Sequence, residues 1–438
     1  MYLLRSHLFP TGNNGTLTAR LKINRAGSGA MANSRVQLRD ILIQGYRSCE
    51  RTTLSLEPGV TVLIGPNGAG KTNIMHGLRL LGRVTRRADQ LREGDQHATH
   101  SQFKASFDFK RQKVGLKIDY SMARRAASIQ RLQKKERWDF SSFGISQRWT
   151  SIVDAEIFFE GAGIEGNYAL IRQPGETTYE PLNTETQKAF DAIAQFRQGI
   201  QYYSASQFTN PTLCPTSFEV DEDGLAPDPV GPSRSKHIVF LRRLFRTSTS
   251  NKELYASYLS LIGRGGINLV DDIKWEKTTF SNASYEVKSG GNVINQKRKR
   301  TLIIPMVVVS GRQLSFDQLS EGTFRALATI FHIMTDQGSM LLLEEPEVCV
   351  HHGLLASLVE IIKDFGQKKQ IVISTHSEAV LDAFEPEQVR LVRISKASGT
   401  KADKLSTVMS RRRFAALKTY LQTEGNLGEY WRFSDFGQ

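Results

Sequence analysis

The stretch Gly65-Pro66-Asn67-Gly68-Ala69-Gly70-Lys71-Thr72 decides the fold of this chain, because it fits GxxxxGK[ST] at every position. The largely apolar run Val60 to Ile64 ahead of it reads as a buried strand. Behind it Ile74, Leu78 and Leu81 recur at i, i+4 and i+7, one face of a helix. Strand, glycine loop and helix in that order make a phosphate cradle, in which loop N–H groups and the helix N-terminus surround the phosphates of a nucleotide. Gly65, Asn67, Gly68 and Gly70 are therefore expected against ATP. Lys71 would reach the β and γ phosphates, and the Thr72 hydroxyl would hold Mg2+.

Hydrolysis needs more: a carboxylate on the magnesium side and a group that positions water. Met340 to Leu343 is an apolar run that ends in Glu344-Glu345-Pro346-Glu347. A buried strand delivering acids at its C-terminal end suits the edge where open α/β sheets place their ligands. Glu344 is assigned to Mg2+, through water, and Glu345 to orienting or deprotonating the attacking water. The longer arm of glutamate, where aspartate is more usual, would alter the metal shell slightly. A further strand, Gln370 to Ser374, ends in Thr375-His376-Ser377, making His376 a candidate γ-phosphate contact. About twenty residues before the glutamates, Leu319-Ser320-Glu321-Gly322-Thr323 reads as a helix start with Ser320 as N-cap. Phe324, Leu327, Phe331 and Met334 follow as an apolar face.

Phosphate loop, LSEGT, LLLEEPE and STHS, in that order, resemble the ATP-binding-cassette (ABC) ATPase head. More narrowly they resemble the branch containing RecF, the structural-maintenance-of-chromosomes (SMC) heads and the OLD-family ATPases. Leu38 to Ser48 is similar to the first strand of that branch and its "nFRs" segment, which makes Arg47 a candidate nucleotide contact. Leu427 to Trp431 resembles the tail of stand-alone OLD-like and AAA-type ATPases. The likeness covers roughly residues 36–82 and 301–438. It implies an α/β fold: a P-loop ABC-ATPase head, a mixed sheet flanked by helices, with a large α+β insertion between phosphate loop and signature. It also implies a homodimer, or a higher homo-oligomer, in which two heads sandwich two ATP molecules. Ser320, Glu321 and Gly322 of one copy would then complete the site of the other. Two departures stand out. The family often has proline where His352 follows His351, and its glutamine-bearing loop has only Gln102 and Gln207 as candidates here.

The chain has 438 residues and a formal charge of +14. Basic clusters at Arg83–Arg87, Arg124-Arg125, Lys134-Lys135, Lys297–Arg300 and Arg411–Arg413 suit non-specific contact with nucleic-acid phosphates. No run approaches the apolar length of a membrane span. Three separated cysteines suit a reducing cytoplasm without a disulfide framework. The division expected is a disordered N-terminal extension over 1–34, of which the first thirty residues precede a natural start at Met31. Then come a head lobe over 35–100, an inserted lid or regulatory region over 101–300 and a second head lobe over 301–438.

Within the insertion the alternation predicts strands at Gln102–Phe109 and Val114–Tyr120, then near Ile152–Phe159 and Tyr168–Arg172. Helices are predicted at Glu185–Phe196 and His237–Arg246. Arg124–Arg137 reads as a helix or a solvated loop, Thr212–Ser233 as an exposed loop, and Lys288–Arg300 as a basic hairpin tip or loop before a strand over Leu302–Val309. No Asp-x-Asp pair follows His376, so the nuclease domain of OLD proteins is not expected. The resemblance thus implies an ATPase acting through a separate effector, a nuclease or toxin, in anti-phage defence. The alternative is a RecF-like repair protein that clamps DNA.

Overall fold

The computed structural model describes residues 36–82, 100–124, 130–143, 150–154, 170–172, 179–181, 184–208, 210–221, 236–287, 293–348, 352–423 and 425–433. The extension expected over residues 1–34 and the basic cluster Arg83–Arg87 lie outside the described residues.

An opening hairpin of β1 (Gln37–Tyr46) and β2 (Cys49–Ser55) is followed by β3 (Val60–Ile64), the phosphate loop and α1 (Lys71–Gly82). Then come β4 (His100–Phe109), β5 (Gln112–Arg124), β6 (Gln130–Asp139), β7 (Thr150–Asp154), β8 (Leu170–Arg172) and β9 (Tyr179–Pro181). After α2 (Thr184–Gln198), β10 (Ile200–Ser204) and β11 (Phe218–Asp221), the helices α3 (Lys236–Ser250) and α4 (Lys252–Ile262) lead to three strands. These are β12 (Asp272–Val287), β13 (Val293–Val309) and β14 (Arg312–Ser315). The rest alternates: α5 (Glu321–Thr335), β15 (Met340–Glu344), α6 (His352–Gly366), β16 (Gln370–Thr375), α7 (Glu378–Leu381), β17 (Val389–Ser395) and β18 (Gly399–Lys404). Three helices close the chain, α8 (Leu405–Val408), α9 (Arg411–Thr423) and α10 (Leu427–Phe433).

The strands form three sheets, and the one that positions the site runs β10-β15-β16-β3-β17-β18. Every pair in it is parallel except β17 with β18. A parallel sheet needs cover on both faces, and the alternation of β15 supplies it. Leu341 and Leu343 join one core with Phe324, Leu327 and Phe331 of α5 and Leu358 and Ile362 of α6. Met340 and Leu342 join the other, with Ile74, Leu78 and Leu81 of α1. The second sheet, antiparallel, continues from the opening hairpin in the order β2-β1-β4-β5-β6-β7-β8-β9. Phe103, Ala105, Phe107 and Phe109 all point into the core, as the period-two pattern predicts. The third sheet joins β11, β13 and β12, with β14 on β13. The class is the expected α/β one, a mixed sheet flanked by helices.

The structure corrects three readings of the middle. Within the stretch Arg124–Arg137, read as a helix or solvated loop, the described residues are strand: Gln130–Asp139 pairs with β5 from Gly115↔Asp139 to Arg124↔Gln130, and residues 125–129 lie outside the described residues. Its anchors are Trp138, 1% exposed, and Glu136, which takes a bidentate pair from the fully buried Arg197 at 3.1 and 2.8 Å. One aromatic and one buried ion pair hold a segment whose composition is otherwise polar. Thr212–Ser233 contains β11, whose Phe218 and Val220 are buried against the α3 and α4 core. The hairpin read over Lys288–Arg300 is present, but its second strand starts at Val293 rather than Leu302, so the basic run before Leu302 lies within the strand. Phe280↔Arg300 through Ala283↔Lys297 pair within β12–β13, and of these β13 residues Arg300 also pairs with β11, at Asp221; residues 288–292 lie outside the described residues. Finally β10, inside the stretch 101–300, is the edge strand of the parallel sheet beside β15.

Candidate nucleotide site

The phosphate loop leaves the C-terminal end of β3 under two constraints that only glycine meets. A Cβ on Gly65 would stand 2.0 Å from the Val392 carbonyl oxygen of β17. Gly70 has φ +102°, and a Cβ there would stand 2.1 Å from Thr400 Oγ1. Thr400 Oγ1 lies 3.0 Å from the Ala69 carbonyl oxygen and 2.8 Å from Ser48 Oγ, and Asn73 Nδ2 donates to Ser48 Oγ at 2.7 Å. The far strand β18, the turn after β1 and the first turn of α1 thus hold the loop from behind. Arg47, in that turn at φ +49°, reaches Asn73 Oδ1 at 3.2 Å and lies 2.8 Å from His76 Nδ1.

Register brings the chemistry together. Ile64 pairs with Thr375 and Ser374 with Glu344, so the phosphate loop, the glutamates and His376 leave neighbouring strands at one edge. Lys71 Nζ donates to the Gly65 and Pro66 carbonyls at 2.8 and 3.2 Å and to His376 Nε2 at 2.7 Å. Thr72 Oγ1 donates to Glu344 Oε1 at 2.5 Å, and the Tyr202 hydroxyl donates to Glu344 Oε2. Glu345 Oε1 stands 3.4 Å from His376 Nε2. Its backbone is left-handed at φ +45°, a strain of about 1–3 kcal/mol held by the bond from Glu345 N to the Ser374 carbonyl at 2.9 Å. Glu347 stitches the same turn to β16, its Oε1 accepting from Thr375 Oγ1 at 2.6 Å and from the His376 N–H at 2.9 Å.

Burial sets the protonation states. Lys71 is pulled down to about 8 by loss of water, an effect that Glu345, Glu347 and Glu344 partly oppose. His376 is lowered by burial first and by Lys71 second, against Glu345. A neutral imidazole is what Nε2 needs to accept from the lysine. Burial raises the Glu347 carboxyl, against hydrogen bonds from the Thr375 hydroxyl, the His376 N–H and its own backbone.

Of the residues singled out in the sequence, Gly65, Gly70, Lys71, Thr72, Glu344, Glu345 and His376 meet in one cluster. Asn67 and Gly68 lie in the same loop, Gly68 at φ +77°. The signature residues do not join them: among the described residues no hydrogen bond or ion pair links Ser320, Glu321 or Gly322 to the phosphate loop. Ser320, exposed, caps α5 by accepting from Thr323 N at 3.2 Å, and Glu321 pairs with Arg325. Gln102 is bonded to Asp119 at 2.7 Å within the antiparallel sheet, whereas Gln207 follows β10 at the same sheet edge as the glutamates. Tyr202, Ser48, Thr400 and Glu347 are site residues the sequence reading missed. Glu347, in Glu-Glu-Pro-Glu, and Ser48, at the end of the "nFRs" segment, carried a signal there; Tyr202 and Thr400 carried none.

The donors that meet at Thr72 and Glu344 are a hydroxyl and a carboxylate, the hard oxygen set that suits Mg2+. Among the described residues no group of three or more His, Cys, Asp or Glu could hold a metal by itself. No helix among them is long and apolar enough to cross a membrane.

A family described as an AAA domain matches residues 40–215, and an AAA domain family associated with the AbiEii toxin and Type IV TA systems matches residues 280–382. Among curated proteins, the DNA replication and repair protein RecF of Arthrobacter sp. (strain FB24) is 42% identical over 66 residues, 14% of this chain and 16% of that protein. RecF of Corynebacterium jeikeium (strain K411) is 40% identical over 67 residues, again 14% and 16%. RecF of Streptomyces avermitilis is 36% identical over 86 residues, 18% of this chain and 23% of that protein. The matched stretch thus spans less than a quarter of these relatives. Among solved structures, the SMC head domain from Thermotoga maritima overlays on 84% of this chain and 99% of its own at a TM-score of 0.42 and 11% identity. An Smc head with an extended coiled coil, bound to the C-terminal domain of ScpA derived from Pyrococcus furiosus, gives 88%, 99%, 0.44 and 9%. These scores are too low to carry the fold, which rests on the sheet order above.

Proposed function

We propose that this chain, an ABC-type ATPase head of the RecF-like branch, binds and hydrolyses ATP with Mg2+, as a switch between separate and paired heads. The observation that carries this reading is the meeting of Lys71, Thr72, Glu344, Glu345 and His376 at the ends of three adjacent parallel strands.

The roles follow from position. Loop N–H groups and the α1 N-terminus hold the phosphates, and Lys71 turns from the Gly65 and Pro66 carbonyls to the β and γ oxygens. Thr72 and Glu344 would hold Mg2+, which when bound neutralises charge developing on the phosphates. Glu345 orients or deprotonates the attacking water, and His376, neutral and fixed by Glu347 through its backbone N–H, contacts the γ-phosphate. Arg47 lies beside α1 as a further phosphate contact. The exposed Ser320-capped N-terminus of α5, with Glu321 and Gly322, serves the ATP of a second copy: its free N–H groups and dipole favour a γ-phosphate. Closure then depends on an intact triphosphate, and hydrolysis releases it.

The state so produced acts through a separate nuclease or toxin in anti-phage defence, or clamps DNA as a repair protein. The toxin-associated description of the family matching residues 280–382 supports the first, and the RecF matches support the second. Either reading places residues 35–100 and 301–438 in the head lobes, with most of 101–300 as the inserted region and β10 contributed to the head sheet. The test is Glu345→Gln with ATP. Hydrolysis should fall at least about a hundredfold while ATP binding is kept and paired heads accumulate in sedimentation. Turnover at the wild-type rate would remove Glu345 from this role. Capture of that variant from its native cells then separates the outputs: a stoichiometric nuclease or toxin for the first, DNA without a protein partner for the second.

A further inference from the structure

We propose that Tyr202 is a positioning residue for the metal-side carboxylate, fixing the longer glutamate arm at Glu344 so that it meets Thr72. This rests on the reading of Thr72 and Glu344 as the Mg2+ side of the site. Both carboxylate oxygens are engaged, Oε1 by the Thr72 hydroxyl and Oε2 by the Tyr202 hydroxyl. A glutamate has one more rotatable bond than the aspartate more usual at this position. A second anchor is the physical remedy for the added freedom.

The fold puts Tyr202 where that anchor must be. β10 pairs in parallel with β15, Tyr202 opposite Leu342 and Ser204 opposite Glu344. Alternation then places Tyr202, Leu342 and Glu344 on the face that α1 covers. The phenol ring is held there by two α1 side chains. The His76 ring meets it edge-on with centroids 5.3 Å apart, and the Arg79 guanidinium lies 5.3 Å over its centroid. His76 is in turn 2.8 Å from Arg47 Nη1, so the anchor is continuous with the Arg47, Asn73 and Ser48 network behind the phosphate loop. Each carboxylate oxygen accepts more than one hydrogen bond, so Glu344 keeps lone pairs for metal-bound water while both anchors remain. The hydroxyl is the only atom Tyr202→Phe removes, and the ring contacts stay.

The test titrates Mg2+ into the full chain with AMP-PNP as the probe, read by calorimetry, so that no turnover is needed. In EDTA, wild type and Tyr202→Phe should bind AMP-PNP with the same Kd. The Mg2+ concentration that gives half of the metal-dependent tightening should rise about ten- to a hundredfold in Tyr202→Phe. In a Glu344→Asp background, whose shorter arm cannot reach the phenol, adding Tyr202→Phe should change that midpoint no further. An unchanged midpoint in Tyr202→Phe overturns the proposal. Equal weakening with and without Mg2+ also overturns it, since that is the mark of a packing role. Absence of AMP-PNP binding by the wild type would remove the nucleotide reading itself, and the proposal with it.

Discussion

Raising the pH from 7.5 to 9 should weaken ATP binding about eightfold through Lys71 alone, a factor obtained from a free-protein value of about 8. Lys71 is 5% exposed and enclosed by the loop carbonyls it bonds. The displacement from 10.5 to about 8 corresponds to roughly 3 kcal/mol against the charged form. Phosphate oxygens favour the ammonium, so the bound-state value lies higher, and binding takes up a proton between the two values. Affinity is therefore insensitive to this group below the free-protein value and falls as pH rises through it. Calorimetry in two buffers of different ionisation heat, with EDTA present to keep the metal side out, reads the uptake directly. It should be about 0.2 proton at pH 7.5 and about 0.9 at pH 9, with the eightfold loss in Kd between them. Equal Kd values at the two pH values, with no proton taken up, would mean that Lys71 keeps an ordinary ammonium and that its enclosure is wrongly described.

Gly65→Ala forces a Cβ to within 2.0 Å of the Val392 carbonyl, so β17 or the loop must move. The expected cost is about 1–3 kcal/mol by thermal unfolding, together with loss of nucleotide binding, whereas binding at wild-type strength would show that the loop is free of β17. Arg197→Ala removes the partner of Glu136 and the donor to the Leu81 carbonyl at 2.9 Å. Urea unfolding should register a loss of about 3–5 kcal/mol, and a loss below about 1 kcal/mol would mean that β6 is not tied to α1 and α2 as described.

What the sequence made legible were segments whose local signal and tertiary role agree. Val60–Ile64, Met340–Leu343 and Gln370–Ser374 are short apolar runs because parallel strands are covered on both faces. Each ends in its own chemical signature, which is why the ends could be joined across as many as 305 residues from Lys71 to His376. β10 escaped because Ile-Gln-Tyr-Tyr-Ser has no motif at its end and lies amid strands of another sheet. With it Tyr202 escaped, since nothing local marks a tyrosine that meets a carboxylate 142 residues away. β6 escaped because its stability comes from Trp138 and the Arg197–Glu136 pair, a long-range contact that composition does not reveal. The basic run of β13 misled for the same reason: pairing with β12, not apolar alternation, makes it a strand.

Mixing Ser320→Arg protein with Lys71→Ala protein tests the shared nucleotide site most directly. Each alone should lack ATPase activity, the first through the signature helix presented to its partner and the second through its own phosphate loop. In a mixed pair, the intact Lys71 of one copy would face the intact Ser320 of the other. Random pairing should then restore about a quarter of the wild-type sites, and of the rate if sites act independently. No recovery, with each variant still able to pair, would contradict a site completed by a second copy.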